Sequence, residues 1–302
     1  MSISAQIETD RSVTAEQEKQ EREFFKENGY IPPFTLFEPE VAAELWKEMR
    51  IPLLFRKKKA IYPDSKMNYD RHLDIKILSD IVSHPEIVRR VQNLLGPNIL
   101  CWRTEWFPKY PGDIATGWHQ TESFPTFEGD SKLVPTQPHE GSWELTVWFG
   151  FTEAKRDTAC LKVIPKSHKT WYFDEKKQVS FNPDTVMKGT GAGFYGYDWE
   201  PLKIDSNWKV DESQALHFEM EAGQVVMFTS RLLHASEPNL TTDRTRMGIA
   251  MRYVPTDVRV YPYHDGKWTM FGETFSLDKY AAMLVGGVDT FGHNKITLPL
   301  TE

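Results

Sequence analysis

Two histidines stand in sequence settings that could hold a metal ion. His119 lies in the run Thr-Gly-Trp-His-Gln-Thr-Glu at residues 116–122, and His234 closes a strand-like run that starts at Gly223. In a double-sheet roll, residues this far apart in the sequence can meet at one mouth of the barrel, as neutral imidazoles do when they share a metal. Two separated histidines are more often ordinary hydrogen-bonded residues, so the interpretation depends on what accompanies them.

Two arginines accompany the histidines on a later strand-like run. Arg246 and Arg252 are an even number of residues apart, so in an unbroken strand both side chains point to the same face. A bidentate guanidinium suits a carboxylate, and the pair therefore indicates a dicarboxylate co-substrate or a network of halide and carboxylate. A pair of surface arginines is the alternative that the residues alone leave open.

The composition is that of a folded protein with a large core. The 302 residues include 10 Trp, 11 Tyr and 18 Phe, and the net charge of −7 argues against general binding to nucleic acid or anionic membranes. We find no apolar run of bilayer length and expect no signal peptide, and the two cysteines, Cys101 and Cys160, are too few for a disulfide scaffold. Whether they form one bridge is left open. We expect a cytoplasmic protein without nucleic-acid or membrane partners.

Helical patterns precede residue 98 and strand patterns follow it. Helices are predicted at 15–27, 39–49 and 85–95, with Thr14 and Ser83 as N-caps and Gly29 ending the first. Short β-branched or aromatic runs predict strands at 99–107, 144–151, 160–164, 214–220, 224–229 and 247–254. No linker separates the two parts, so we predict one domain over 1–302, mainly β with helices outside, in which residues 1–12 are flexible and 169–213 form a lid-like insertion.

Six segments together carry a resemblance to a known family. They read Trp-Arg-Thr-Glu-Trp-Phe-Pro-Lys-Tyr-Pro-Gly-Asp at 102–113, Trp-His-Gln at 118–120, Thr-Val-Trp at 146–148, Cys-Leu-Lys-Val-Ile-Pro-Lys-Ser-His at 160–168, Leu-His-Ala-Ser at 233–236, and a run with arginines at both ends at 246–252. The chain resembles the phytanoyl-CoA dioxygenase-like Fe(II)/2-oxoglutarate enzymes over about residues 20 to 290. Within them it is most similar to the aliphatic halogenases of nonribosomal peptide biosynthesis, of the syringomycin threonyl halogenase type. The resemblance implies a cupin-like jelly roll, the double-stranded β-helix.

The resemblance also implies roles for individual residues. His119 and His234 match the iron ligands, and Arg246 matches the arginine that pairs with the distal carboxylate of 2-oxoglutarate. Thr116 and Trp148 match residues that help to hold the co-substrate. Glu105, Thr146 and Arg252 match polar residues around the halide. The implied cofactors are Fe(II), 2-oxoglutarate, O2 and chloride.

Thr121 departs from both patterns of the family. The oxygenases place Asp or Glu two residues after the first histidine, whereas the halogenases place Ala or Gly there and leave an iron position open for chloride. A threonine supplies no carboxylate, yet its branch could crowd a halide. Chloride, a carboxylate from Glu122 or elsewhere, and water remain alternatives for this position, and Glu122 could reach the metal only through a local bulge.

The resemblance implies an oxidative halogenase that chlorinates an unactivated aliphatic carbon. Its substrate would be an aminoacyl thioester on a carrier (thiolation) protein, which becomes the expected partner. Two alternatives remain open: an oxygenase that hydroxylates or epoxidises a similar tethered substrate, and a non-catalytic jelly-roll binding protein.

Overall fold

The computed structural model describes residues 14–65, 67–125, 130–177, 199–270 and 273–301. The predicted flexible start, residues 1–12, lies outside the described residues, as does the stretch 178–198 of the predicted insertion. Both cysteines are buried free thiols.

The described part of the chain contains α1 (Ala15–Asn28), α2 (Pro39–Phe55), α3 (Lys76–Val82) and α4 (Pro85–Leu95). The cap predicted for α1 is confirmed, because Thr14 and Gln17 form a capping box and Gly29 ends the helix in the left-handed region at φ 83°. None of these helices is long and apolar enough to cross a membrane.

Two predicted helix boundaries are wrong. Helix α2 continues past Met49 and through Pro52. Its last carbonyls are satisfied by the buried Arg71, whose guanidinium donates to the oxygens of Pro52 and Leu53 at 2.9 and 2.7 Å. The N-cap of α4 is His84 rather than Ser83, whose hydroxyl donates instead to the Ser79 carbonyl oxygen.

The strands form two main sheets. In chain order they are β1 (Tyr30–Thr35), β2 (Ile99–Trp106), β3 (Thr116–His119), β4 (Leu133–Pro135), β5 (Leu145–Gly150), β6 (Leu161–Val163), β7 (Leu216–Phe218), β8 (Gln224–Phe228), β9 (His234–Ser236), β10 (Gly248–Pro255), β11 (Val258–Val260), β12 (Lys267–Met270), β13 (Glu273–Ser276), β14 (Ala282–Gly286) and β15 (Ile296–Thr297). The large sheet has the order β1-β8-β5-β10-β2-β14-β15 and the small one the order β3-β9-β6-β7. Strands β4 and β11 form a separate pair, as do β12 and β13.

Side-chain alternation divides the large sheet into two faces. Ile249 and Met251 of β10 join the core that also contains the buried residues of the helices. Ala250, between them in sequence, packs with residues of β6 and β7 in the core between the sheets. Because neighbouring strand residues face opposite sides, the same alternation turns Arg252 towards the small sheet. The candidate site lies on this inner face.

Candidate active site

The two histidines face each other across neighbouring strands. His119 is the last residue of β3 and His234 the first of β9, and the antiparallel register pairs them directly. Their ring centroids lie 4.1 Å apart, with an angle of 52° between the ring planes. The small sheet therefore brings together two imidazoles that are far apart in the sequence.

Backbone carbonyls fix the tautomer of both imidazole rings. Nδ1 of His119 lies 2.8 Å from the oxygen of Gly117, and Nδ1 of His234 lies 2.7 Å from that of Leu232. A carbonyl oxygen only accepts, so each Nδ1 carries the hydrogen and each Nε2 keeps a lone pair. Burial lowers the pKa of His119 to about 4 and the pKa of His234 well below its usual value. Two neutral imidazoles oriented in this way fit the nitrogen donors of an Fe(II) site.

A cavity of about 100 Å³ opens beside the histidine pair. All nine residues that the sequence predicted for the site line it: Glu105, Thr116, His119, Thr121, Thr146, Trp148, His234, Arg246 and Arg252. Aromatic side chains, among them Phe124, Phe228 and Trp199, form much of the remaining wall. The cavity thus combines a largely apolar lining with a few polar groups, as small-molecule sites do.

Arg246 is held rigidly on one wall of this cavity. Its guanidinium donates to the carbonyl oxygens of Ala159 and Phe107, both at 2.8 Å, and lies 5.2 Å from the ring centroid of Trp148. The Trp148 indole is itself fixed, because a Cβ on Gly248 would lie 2.0 Å from it. A buried guanidinium in a fixed orientation is suited to bind a carboxylate, and 2-oxoglutarate presents two.

Arg252 belongs to a second polar group on the inner face. Nε donates to Oε2 of Glu105 at 2.7 Å, and Nη1 donates to the hydroxyls of Thr146 and Ser230 at 2.8 and 3.0 Å. Glu144, fully buried, lies 3.9 Å from Nη1, and its burial raises its pKa to about 7. The sequence did not single out Ser230 or Glu144 for this network.

The hydroxyl of Thr121 is bonded to a glutamate that the sequence also missed. Thr121 Oγ1 donates to Oε2 of Glu175 at 3.1 Å, and the backbone N–H groups of Glu122 and Ser123 donate to the same oxygen at 2.7 and 3.1 Å. The Ser123 hydroxyl donates to Oε1 at 2.6 Å. Glu175, like Thr121, lines the cavity.

Glu122 points elsewhere. Its side chain is buried but is not part of the cavity lining, and burial raises its pKa to about 7. In the residues that the structure describes, no His, Cys, Asp or Glu completes a group of three that could hold a metal. The two histidines therefore have no third ligand of these residue types within the described ranges.

Gln120 and Trp199 hold the chain around His119 in place. The side-chain amide of the buried Gln120 donates to the carbonyls of Thr170 and Arg231 at 2.9 and 2.7 Å, and its oxygen accepts from the Tyr172 N–H at 2.8 Å. Trp199 stacks on His119 with a centroid distance of 4.6 Å. Gln120 was visible in the Trp-His-Gln motif, whereas nothing in the sequence around Trp199 signals its contact.

Comparison with known proteins identifies the family. A family model for phytanoyl-CoA dioxygenase (PhyH) matches residues 25–248. The chain belongs to this family. Rat peroxisomal phytanoyl-CoA dioxygenase is 24% identical over 260 residues, which are 80% of this chain and 69% of the rat protein. The human peroxisomal enzyme is 27% identical over 177 residues, 57% of this chain and 44% of its own length.

Solved structures extend the comparison to the whole fold. A structure of CytC3 with Fe(II) and alpha-ketoglutarate is 35% identical with a TM-score of 0.70, and the match covers 92% of each chain. A nickel complex of the non-heme monooxygenase ThoJ, at 21% identity and TM-score 0.63, covers 93% of this chain and 89% of that one and supports the fold alone. The predicted double-stranded β-helix class is confirmed. The protein is an Fe(II)/2-oxoglutarate-dependent oxidoreductase, with 2-oxoglutarate as co-substrate.

Proposed function

We propose that the protein is an oxidative halogenase that chlorinates an unactivated aliphatic carbon of an aminoacyl thioester on a carrier protein. The observation that carries the proposal is Thr121, which stands where the oxygenases of the family have a metal-binding carboxylate. Its hydroxyl is bonded to Glu175, and Glu122 does not line the cavity. A metal held by two histidines alone would leave a coordination position for an external anion such as chloride.

In this proposal His119 and His234 hold Fe(II), and Arg246 pairs with the distal carboxylate of 2-oxoglutarate. When bound, Fe(II), 2-oxoglutarate, O2 and chloride supply the oxidation of the C–H bond and the atom that replaces its hydrogen. Thr116 and Trp148 flank the co-substrate. Each of these residues lines the same cavity, so the protein contributes orientation and an environment with little water.

Glu105, Thr146 and Arg252 are proposed to surround the halide. The guanidinium of Arg252 is the positive charge of this group, and its bonds to Glu105 and Thr146 keep it on the cavity wall. A fixed cation of this kind lowers the free energy of an anion nearby without reorganisation at the time of binding.

The carrier protein and a cytoplasmic location belong to the same proposal. Cys101 and Cys160 are buried free thiols, which agrees with a reducing compartment. An acidic carrier would require a local basic patch, because the whole chain has a net charge of −7.

A second candidate function is hydroxylation or epoxidation of a similar tethered substrate. The carboxylate of Glu175 favours it, because a negative charge bonded to Thr121 opposes an anion in the adjacent open position. Water at that position would then give an oxygenated product.

Product analysis separates the two functions. The purified protein is loaded with Fe(II) and 2-oxoglutarate without oxygen, then mixed with O2, chloride and an aminoacyl carrier protein, and the product is examined by mass spectrometry. We expect the isotope pattern of chlorine in the wild type and in Thr121→Ala, and loss of chlorination in Thr121→Asp, whose carboxylate would fill the open position. A product that gains only oxygen refutes the halogenase.

Glu122→Ala is the matched control, since residue 122 is next in sequence but outside the cavity lining. We expect it to leave iron affinity and product type unchanged. If Glu122→Ala abolished iron binding, the assignment of the open position would be wrong.

A further inference from the structure

Glu175 presents a charge to the cavity that no described cation neutralises. Its carboxylate accepts hydrogen bonds from the hydroxyls of Thr121 and Ser123 and from the backbone N–H groups of Glu122 and Ser123. All of these donors are neutral. Within the described ranges Glu175 takes part in no ion pair, although Lys177 lines the same cavity.

The other carboxylate in the cavity wall is different. Glu105 faces two arginines, because it bonds to Arg252 and lies 3.4 Å from Arg103. Its charge is thus compensated inside the protein. The contrast leaves Glu175 as the acidic wall group whose charge is available to a ligand.

The hydrogen bonds of Glu175 fix the position of its carboxylate. Donors from three consecutive residues, 121–123, fix both oxygens, so little conformational freedom remains to be lost when a ligand binds. A carboxylate in a partly enclosed apolar site is best complemented by a cation that can donate to it. Its partner Thr121 lies two residues from His119, on the same segment of the wall.

We propose that Glu175 binds the amino group of the substrate as an ammonium ion and so selects acyl groups that carry a free amine. This inference rests on the proposed function for the acyl thioester and names the feature by which such a substrate is recognised. An ammonium held by Glu175 brings the aliphatic carbons attached to it alongside Thr121 and the histidine pair.

The test compares two ligands that differ only in the amine. The probes are the N-acetylcysteamine thioesters of 2-aminobutanoic acid and of butanoic acid, and their dissociation constants are measured by calorimetry on the Fe(II)- and 2-oxoglutarate-loaded protein without oxygen. At a pH of about 6 the amine is charged, because the pKa of an α-amino group is about 8. We expect the wild type to bind the amino thioester at least about tenfold more tightly, the lower end for a charge-assisted hydrogen bond.

Glu175→Gln keeps the size of the side chain and removes its charge, so we expect it to abolish this preference. The affinity for the butanoyl thioester should stay within about twofold of the wild-type value. That result would show that the cavity wall is otherwise unchanged. Glu175→Asp keeps the charge and should retain part of the preference. Asp174→Asn is the matched control, because it removes the same charge from an exposed neighbour that does not line the cavity.

Three results overturn the proposal: equal binding of the two thioesters to the wild type, an undiminished preference in Glu175→Gln, or no binding of the amino thioester to the wild type. Because the measurement needs no turnover, its outcome is independent of the product. An oxygenated product with the amine preference intact would refute the halogenase and leave the role of Glu175 standing.

Discussion

Removal of Arg252 should destabilise the fold strongly, because its charge compensates two buried acids. Nη2 and Nε lie 2.6 and 2.7 Å from Oε2 of Glu105, and Nη1 lies 3.9 Å from Oε1 of Glu144. The two side chains of the Arg252–Glu105 pair are only 9% and 6% exposed. Breaking a buried ion pair from one side costs about 3–5 kcal/mol, because the remaining charge stays buried. Glu105 keeps Arg103 at 3.4 Å, so we expect about 3 kcal/mol for Arg252→Met.

Urea unfolding of the metal-free protein, followed by tryptophan fluorescence, measures this loss without any contribution from cofactor binding. Arg244→Met is the matched control: Arg244 also bonds to two acids, Glu153 and Asp157, but its side chain is 45% exposed. We expect a much smaller loss there, because solvent screens these exposed ion pairs. The double variant Arg252→Met/Glu105→Gln should be more stable than the sum of the single changes predicts, by at least about 1 kcal/mol. A loss below about 1 kcal/mol for Arg252→Met, or strict additivity in the double variant, would refute the reasoning.

Three further changes test other parts of the structure. Burial raises the pKa of Asp70 to about 7, so the folded protein holds a proton that the unfolded chain releases. The free energy of unfolding therefore falls as pH rises from about 4 to about 7. Asp70→Asn should remove about 2.5 kcal/mol of the difference between unfolding free energies at pH 5 and pH 8, and an unchanged difference contradicts this. Gly248→Ala should displace Trp148, lower stability by about 1–3 kcal/mol and weaken 2-oxoglutarate binding in calorimetry; unaltered affinity would show that the indole does not flank the co-substrate. Gln120→Leu leaves two carbonyls and one N–H without their partner, so amide exchange over 167–177 should accelerate, and equal rates in the variant would show that other contacts hold the segment.

The fold could be predicted from sequence where the signal is local. The cap of α1 needs only Thr14, Gln17 and Gly29, and the six predicted strands all have counterparts in the sheets. Strands such as β3 and β9, with four and three residues, are too short to show a period. The end of α2 was missed because a distant side chain, Arg71, satisfies its last carbonyls.

The cavity could be predicted in part. His119, His234 and the two arginines are marked by residue type and order; the strand register pairs the histidines directly, and all four residues line the same cavity. Glu175 was missed because it stands in the polar run Asp-Glu-Lys-Lys at 174–177, which reads as a solvated surface. Its hydrogen-bond donors lie at 121–123, and only the folded chain brings the two segments together.

Glu175 and a chloride beside Thr121 would carry like charges in one small cavity, so each raises the free energy of the other. A substrate ammonium bound to Glu175 neutralises this repulsion. Halide and substrate would then bind with positive coupling, and by linkage each would raise the affinity for the other equally. The same carboxylate that favours an oxygenase in the empty cavity is therefore compatible with a halogenase once an amine-bearing substrate is bound. If both proposals hold, the charge on the substrate, together with residue 121, would decide whether the cavity can hold a halide.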